Sequence, residues 1–166
     1  MKNLLSILLL LAISLTLAGC LKDKRAASTN NNGNTIKIGI YGDLTGQTSS
    51  FGQSTKNGVD LAVNEINSAG GINGKNLEII FEDDQGRPEQ AKTVVSKLIN
   101  QDKVQAVIGE AASTNTLAAA PVAQEARVPM ISHASTNEQI TRVGDYIFRV
   151  CFIDAFQGAV DRKSVV

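Results

Sequence analysis

Ile36-Lys37-Ile38-Gly39-Ile40-Tyr41-Gly42-Asp43 is a short apolar run that stops on a glycine and an aspartate. Such a run reads as a buried strand ending in a turn. The chain beyond it alternates between helix and strand patterns. Residues 53–69 carry Val59, Ala62, Val63 and Ile66 at helical spacing, and Gly70-Gly71 closes them. Leu77-Glu78-Ile79-Ile80-Phe81-Glu82 is a second strand, stopped at Asp83-Asp84-Gln85-Gly86. Pro88 suits the first turn of a helix whose apolar face is Ala91, Val94, Val95, Leu98 and Ile99. Val104-Gln105-Ala106-Val107-Ile108 is a third strand and residues 114–127 a third helix, in which Pro121 is a candidate kink. Pro129-Met130-Ile131-Ser132 is a fourth strand and residues 146–152 a fifth.

Strand and helix in turn, joined by short Gly- and Asp-rich segments, predict βαβ units: an α/β fold with a parallel, doubly wound sheet and helices on both faces. Short Ile- and Val-rich strands suit burial on both sides. In open sheets of this kind, ligands bind at the carboxyl ends of the strands. That rule selects the loops 42–52, 83–87, 109–115 and 132–137.

Composition narrows the function classes. Sixteen Lys+Arg balance sixteen Asp+Glu, so neither nucleic acid nor an anionic membrane surface is favoured as a partner. Trp is absent and aromatics are 4%, which argues against a stacking surface for bases or sugars. The N-terminus has Lys2, an apolar run from Leu4 to Leu17, and then Leu17-Ala18-Gly19-Cys20. This is the layout of a secretory signal peptide, and the run is shorter than the ~20 residues a bilayer span needs. The Leu-Ala-Gly-Cys ending resembles the bacterial lipobox, which implies cleavage after residue 19 and a diacylglycerol on the Cys20 sulfur. Residues 20–34, polar and Asn-rich after the cysteine, read as a flexible tether, and residues 35–160 as the folded lobe. Cys151 is then left without an internal disulfide partner and reads as a buried, inert thiol in an apolar strand. Leu21 carries no aspartate retention signal, so which membrane holds the anchor stays open.

Two loops suggest a binding site. Gly109-Glu110-Ala111-Ala112-Ser113-Thr114-Asn115 opens into a helix, where Ser113 fits an N-cap; its hydroxyl and the first-turn N–H groups either satisfy one another or converge on an anion such as a carboxylate. Ser132-His133-Ala134-Ser135-Thr136-Asn137 offers small residues that admit a close ligand, or else a capped helix start at Ser135 or Thr136. Phe51 either walls an apolar part of the pocket or is a half-buried loop aromatic.

Catalytic patterns fail. Gly70-Gly71-Ile72-Asn73-Gly74-Lys75-Asn76 has the wrong spacing for a phosphate loop, lacks Ser or Thr after Lys75, and precedes a strand. His133, the single histidine, has no Gly-x-Ser-x-Gly partner. Glu82-Asp83-Asp84 lacks a second set of cation ligands and reads as a solvated turn. No nucleophile, base and oxyanion site assemble, and no cofactor or metal is implied.

Taken in order, residues 38–46, 58–67 and 69–75, then Glu82-Asp83-Asp84, Val107-Ile108-Gly109 and Pro129-Met130-Ile131-Ser132 with Ala134-Ser135-Thr136-Asn137, are similar to the branched-chain amino acid family of substrate-binding proteins. The resemblance runs from Ile36 to Val160. It implies a type I periplasmic-binding-protein fold, here its first lobe, and a monomer that delivers a small amino-acid-like ligand to the membrane subunits of an ABC permease. It also implies roles: the Ser113 hydroxyl to the ligand carboxylate, Thr136 through backbone and hydroxyl, the Ala134 and Ser135 backbone on the ammonium side, and Phe51 at the rim. Branched-chain binders can carry a disulfide near the loops after strands two and three; the corresponding places here are Gly86 and Ala112, so the staple is absent.

Asp161-Arg162-Lys163-Ser164-Val165-Val166 is what GATCGGAAGAGCGTCGTG, a common sequencing-library adapter, encodes. The expectation is that residues 161–166 are adapter read-through on an incomplete gene, with a natural short tail as the alternative. A lobe without its late-returning segments leaves apolar sheet face uncovered, at ~25 cal/mol per Å². The rival functions are a ligand-sensing receptor domain of the same fold and, needing a catalytic set not found, an α/β enzyme.

Overall fold

The computed structural model describes residues 35–164. Among them run β1 (Thr35–Gly42), α1 (Ser49–Ser68), β2 (Asn76–Asp83), α2 (Pro88–Asn100), β3 (Ala106–Gly109), α3 (Ser113–Ala126), β4 (Met130–Ser132), a 3₁₀ turn (Ile140–Arg142), β5 (Ile147–Arg149) and α4 (Asp154–Ser164). The signal peptide, Cys20 and the tether lie outside the described residues.

The strands form one parallel sheet in the order β2-β1-β3-β4-β5. The chain steps from β1 to β2 on one side, then crosses back over β1 to β3. With right-handed crossovers, that reversal puts α1 on one face of the sheet and α2 and α3 on the other. Register aligns the strand ends: Gly42 lies opposite Asp83, and Gly109 opposite Ser132. The loops after β1, β2, β3 and β4 therefore leave from one edge, where the strand order reverses.

The core lies between the sheet and the α2–α3 layer. Tyr41, Val107, Met130 and Ile147 from the strands meet Ala91, Val95, Leu98, Ala119, Ala120 and Ala123 from the helices. The apolar spacing of α2 is why its five expected core residues are all buried. Gly109 is required by a close approach: a Cβ there would stand 1.7 Å from the Tyr41 ring.

The opposite face is thinly covered. Gly52 is the single fully buried residue of α1, whose Val59, Val63 and Ile66 are half-buried while Ala62 is exposed. Leu61 is 63% exposed, and Phe148, Val150, Phe152 and Phe156 also face solvent. Cys151 is accordingly half-buried, not buried as its apolar neighbourhood suggested, and its thiol donates to the Ser135 carbonyl.

Several bounds shift for local reasons. Helix α1 starts at Ser49, ahead of Gln53, because the preceding turn is tied down by Asp43. Val104 stays outside β3, its N–H spent on the Leu98 carbonyl. Tyr146 stays outside β5, its N–H taken by the Gln124 side chain at 2.9 Å. Pro121 does not interrupt α3, which runs on to Ala126 and is closed by Arg127 in the left-handed region at φ 55°.

Candidate functional site

Three neighbouring strand ends are each followed by a buried carboxylate: Asp43 after β1, Asp84 after β2 and Glu110 after β3, all no more than 2% exposed. Each organises the loop that begins there.

Asp43 accepts hydrogen bonds from the Gly46 amide and, at 2.7 Å each, from the Thr48 amide and hydroxyl. Burial opposes its charge, but these bonds outweigh burial and hold its carboxyl below the ordinary value. Asp83 behaves alike, with bonds from the Thr45 hydroxyl and the Leu44 and Gln85 amides overcoming burial. Asp84 accepts from the Gly86 amide at 2.9 Å and the Asn115 side chain at 3.4 Å. Burial, with the charges of Asp43 and Asp83, pushes it up to about 6. The expected solvated acidic turn is thus corrected: Asp84 is fully buried and Asp83 is bonded on both oxygens, because the loop folds back under the end of β1.

Glu110 links the loops after β3 and β4. Its carboxylate accepts the Ala112 amide, and its carbonyl accepts the hydroxyls of Ser135 at 2.7 Å, Ser132 at 3.1 Å and Thr116 at 3.4 Å. Burial, then the neighbouring Asp84 and Asp43 charges, push its carboxyl up to about 7. Tyr41 beneath is raised far above the usual phenol range by burial. His133 spans the same region, with Nδ1 3.3 Å from the Gly109 carbonyl and Nε2 3.1 Å from the Thr55 hydroxyl. Burial lowers its pKa, which favours the neutral ring.

Above this polar floor opens a cavity of about 230 Å³ lined by Thr48, Phe51, Ala111, Ala112 and Ala134. It lies below the ~300–1,000 Å³ of drug-sized sites, a fit for a small solute. Three of the four loops selected from the sequence contribute to it; the loop 83–87 supplies no lining residue.

The expected site residues divide accordingly. Phe51, 60% exposed, and Ala134 line the cavity. Ser113 is the first residue of α3, not its cap: Ala112 holds the cap position in extended backbone, with no side-chain capping bond. The Ser113 hydroxyl accepts the Asn137 amide at 3.3 Å, joining α3 to the loop after β4. Ser135 is fully buried, and its hydroxyl contacts the Glu110 carbonyl and the Thr116 hydroxyl, so its side chain points into the protein. No helix starts at Ser135 or Thr136. Thr136 is half-buried, and among the described residues its hydroxyl has no bonded partner.

Thr48, Ala111 and Glu110 are not marked as site residues by the sequence, and Ala112 only as the place of an absent disulfide. The available signal was positional: strands ending in Gly42, Asp83 and Gly109 each run straight into an acid.

Residues 35–160 match the periplasmic binding protein family. A Pseudomonas aeruginosa "amino acid binding protein" is 40% identical over 79% of this chain and 35% of its own length. A leucine-, isoleucine-, valine-, threonine- and alanine-binding protein of the same organism is 36% identical over 84% of this chain and 37% of its own. Among solved structures, the branched-chain amino acid transporter substrate-binding protein of Streptococcus pneumoniae, in complex with isoleucine, aligns with TM-score 0.71 and 40% identity over 73% of this chain and 35% of that one. An ABC transporter solute-binding protein of Rhodopseudomonas palustris with 3,4-dihydroxybenzoic acid aligns with TM-score 0.68 and 33% identity, over 72% of this chain and 32% of that one. The chain thus spans about a third of the length of these relatives. The family match over residues 35–160 and the structural alignments agree, and the chain belongs to the periplasmic binding protein family.

Proposed function

We propose that this chain supplies one wall of a cleft that captures a small amino-acid-like carboxylic acid outside the cytoplasmic membrane and delivers it to an ABC permease. The observation that carries this reading is the cavity beside the start of α3. Helix α3 begins without a side-chain cap, so its first-turn N–H groups remain available to an acceptor. An N-terminal helix end favours negative charge, and a carboxylate is the natural guest. Ala111, Ala112, Ala134 and Phe51 make the adjoining surface apolar, suited to a hydrocarbon or aromatic body. Isoleucine and dihydroxybenzoate, the ligands of the two structural relatives, share that pairing of carboxylate and apolar body. Ser113 and Thr136 are the side chains proposed to face the acid, with Ala134, the Ser135 backbone and Phe51 around the rest.

The proposed place of work follows from Cys20 as a lipid-bearing residue after a cleaved leader. Metabolic labelling with an alkyne fatty acid tests it: label on the chain and none on Cys20→Ala supports the anchor, and equal label on both contradicts it. A thermal-shift screen against amino acids, amides and aromatic acids tests capture. Stabilisation by acids and not by their amides is expected.

A further inference from the structure

Glu110 is a titratable group that ligand capture by Ser113 and Thr136 does not use. It is 2% exposed, and its carboxylate holds the amide of Ala112, a residue of the cavity wall and the cap position of α3. Its carbonyl gathers three hydroxyls, from α3, from the last residue of β4 and from the loop after it. One residue thereby ties together two of the three loops that line the cavity.

The groups around it are known from each packed element. The end of β1 supplies Tyr41 and Asp43, the end of β2 supplies Asp84, and the loop after β4 supplies His133, whose ring meets the adjoining Gly109 carbonyl. Helix α3 presents the uncharged Asn115 and Thr116. No cation is among them, so the negative charge of Glu110 is offset by hydrogen bonds alone.

We propose that Glu110 is a positioning residue: whether its carboxyl is charged or neutral sets the turn of residues 111–113 beside the cavity, and so links capture of a carboxylate there to uptake of a proton. The ligand part rests on the function proposed above. A second carboxylate at the start of α3 stands three residues along the chain from Glu110, whose own carboxylate is almost wholly shielded from water. Like charges so placed favour protonation of one of them. Burial already brings Glu110 to about 7, so the proton is taken up at little cost near neutrality. Protonation also weakens its hold on the Ala112 amide and leaves that N–H free to turn toward the ligand.

The test follows the Ala112 amide resonance of the full chain, in detergent, from pH 5 to pH 9, with and without isoleucine. The expected result is a titration with a midpoint near 7 that is lost in Glu110→Gln. In Asp84→Asn, which removes a neighbouring negative charge, the midpoint moves down; this variant carries the test should Glu110→Gln fail to fold. Isoleucine raises the midpoint. An Ala112 amide that does not titrate, that titrates unchanged in Glu110→Gln, or whose midpoint ignores Asp84→Asn, overturns the role of Glu110. Isoleucine that shifts cavity amides but leaves the Ala112 midpoint in place overturns the proton linkage. Isoleucine that shifts no amide counts against the proposed ligand class, and the Ala112 titration then decides the positioning role by itself.

Discussion

Gly52 packs against Asp43 so tightly that a Cβ on it would stand 1.9 Å from the Asp43 carbonyl oxygen. Helix α1 can therefore start beneath the end of β1 only with glycine there, and the contact brings Thr48 and Phe51 to the cavity wall. Gly52→Ala forces backbone apart, and overpacking of this kind costs about 1–3 kcal/mol or more. Urea unfolding of the variant measures it. An unchanged midpoint would show that the two segments are not held in contact.

Ser135 and Thr136 are neighbours with opposite duties. The Ser135 hydroxyl is buried between Glu110 and Thr116, and Ser135→Ala removes its bonds to both at a net cost of about 0.5–1.5 kcal/mol per bond, while Ser132 and Thr116 stay on the Glu110 carbonyl. Thr136→Ala removes no side-chain bond among the described residues and is expected within about 0.5 kcal/mol of the parent. Paired denaturant curves check this, and equal losses in both variants would contradict the assignment.

Stability should depend on pH in two opposed ways. Asp84 rises from 3.8 to about 6 and Glu110 from 4.5 to about 7, so the folded state keeps protons that the unfolded chain gives up. Their contribution is fully present below the unfolded values and is lost as pH rises through the folded ones, across about pH 4 to 7. Asp43 and Asp83, held below 3.8, contribute above that value and lose it as pH falls, and His133, held below 6.5 by burial, acts in the same direction but is outweighed by the two raised carboxyls. Urea midpoints should therefore peak in mildly acidic buffer and decline toward pH 8, a decline that Glu110→Gln flattens. A midpoint that rises steadily from pH 5 to pH 8 would contradict this.

Helix α3 ends on Arg127 at φ 55°, a conformation that costs a side chain about 1–2 kcal/mol and glycine almost nothing. Against the greater flexibility glycine gives the unfolded chain, Arg127→Gly should still gain about 0.5–1 kcal/mol. The gain would appear as a higher melting temperature with the cavity unchanged.

The alternation of elements was legible most clearly where a helix carries its own apolar stripe, as Ala91, Val94, Val95, Leu98 and Ile99 do on α2. The loops bordering the cavity were legible from topology, since a reversal of strand order places them whatever their residues. The buried acids were not. Asp84 and Glu110 stand in polar loop sequence, and their burial arises only when three strand ends converge. A single window of sequence does not encode that meeting. Ser113 was misplaced by one position for a related reason. Serine is a favoured cap, yet extended backbone at Ala112 starts the helix there without one. The exposed flank of α1 escaped notice too, because periodicity marks a face as apolar and says nothing of whether another layer covers it.

In the function proposed above, the start of α3 receives the acid group of a small solute. Titrating the full chain with isoleucine and, separately, with isoleucinamide, while following the amides of Ser113, Thr114 and Asn115, puts that contact to the test. Saturating shifts are expected with the acid, little change with the amide, and about a tenfold or greater loss of affinity in Ser113→Ala, as a hydrogen bond to a charged group is worth about 1.5–3 kcal/mol. Acid and amide shifting these resonances alike, or binding that leaves them unmoved, would contradict it.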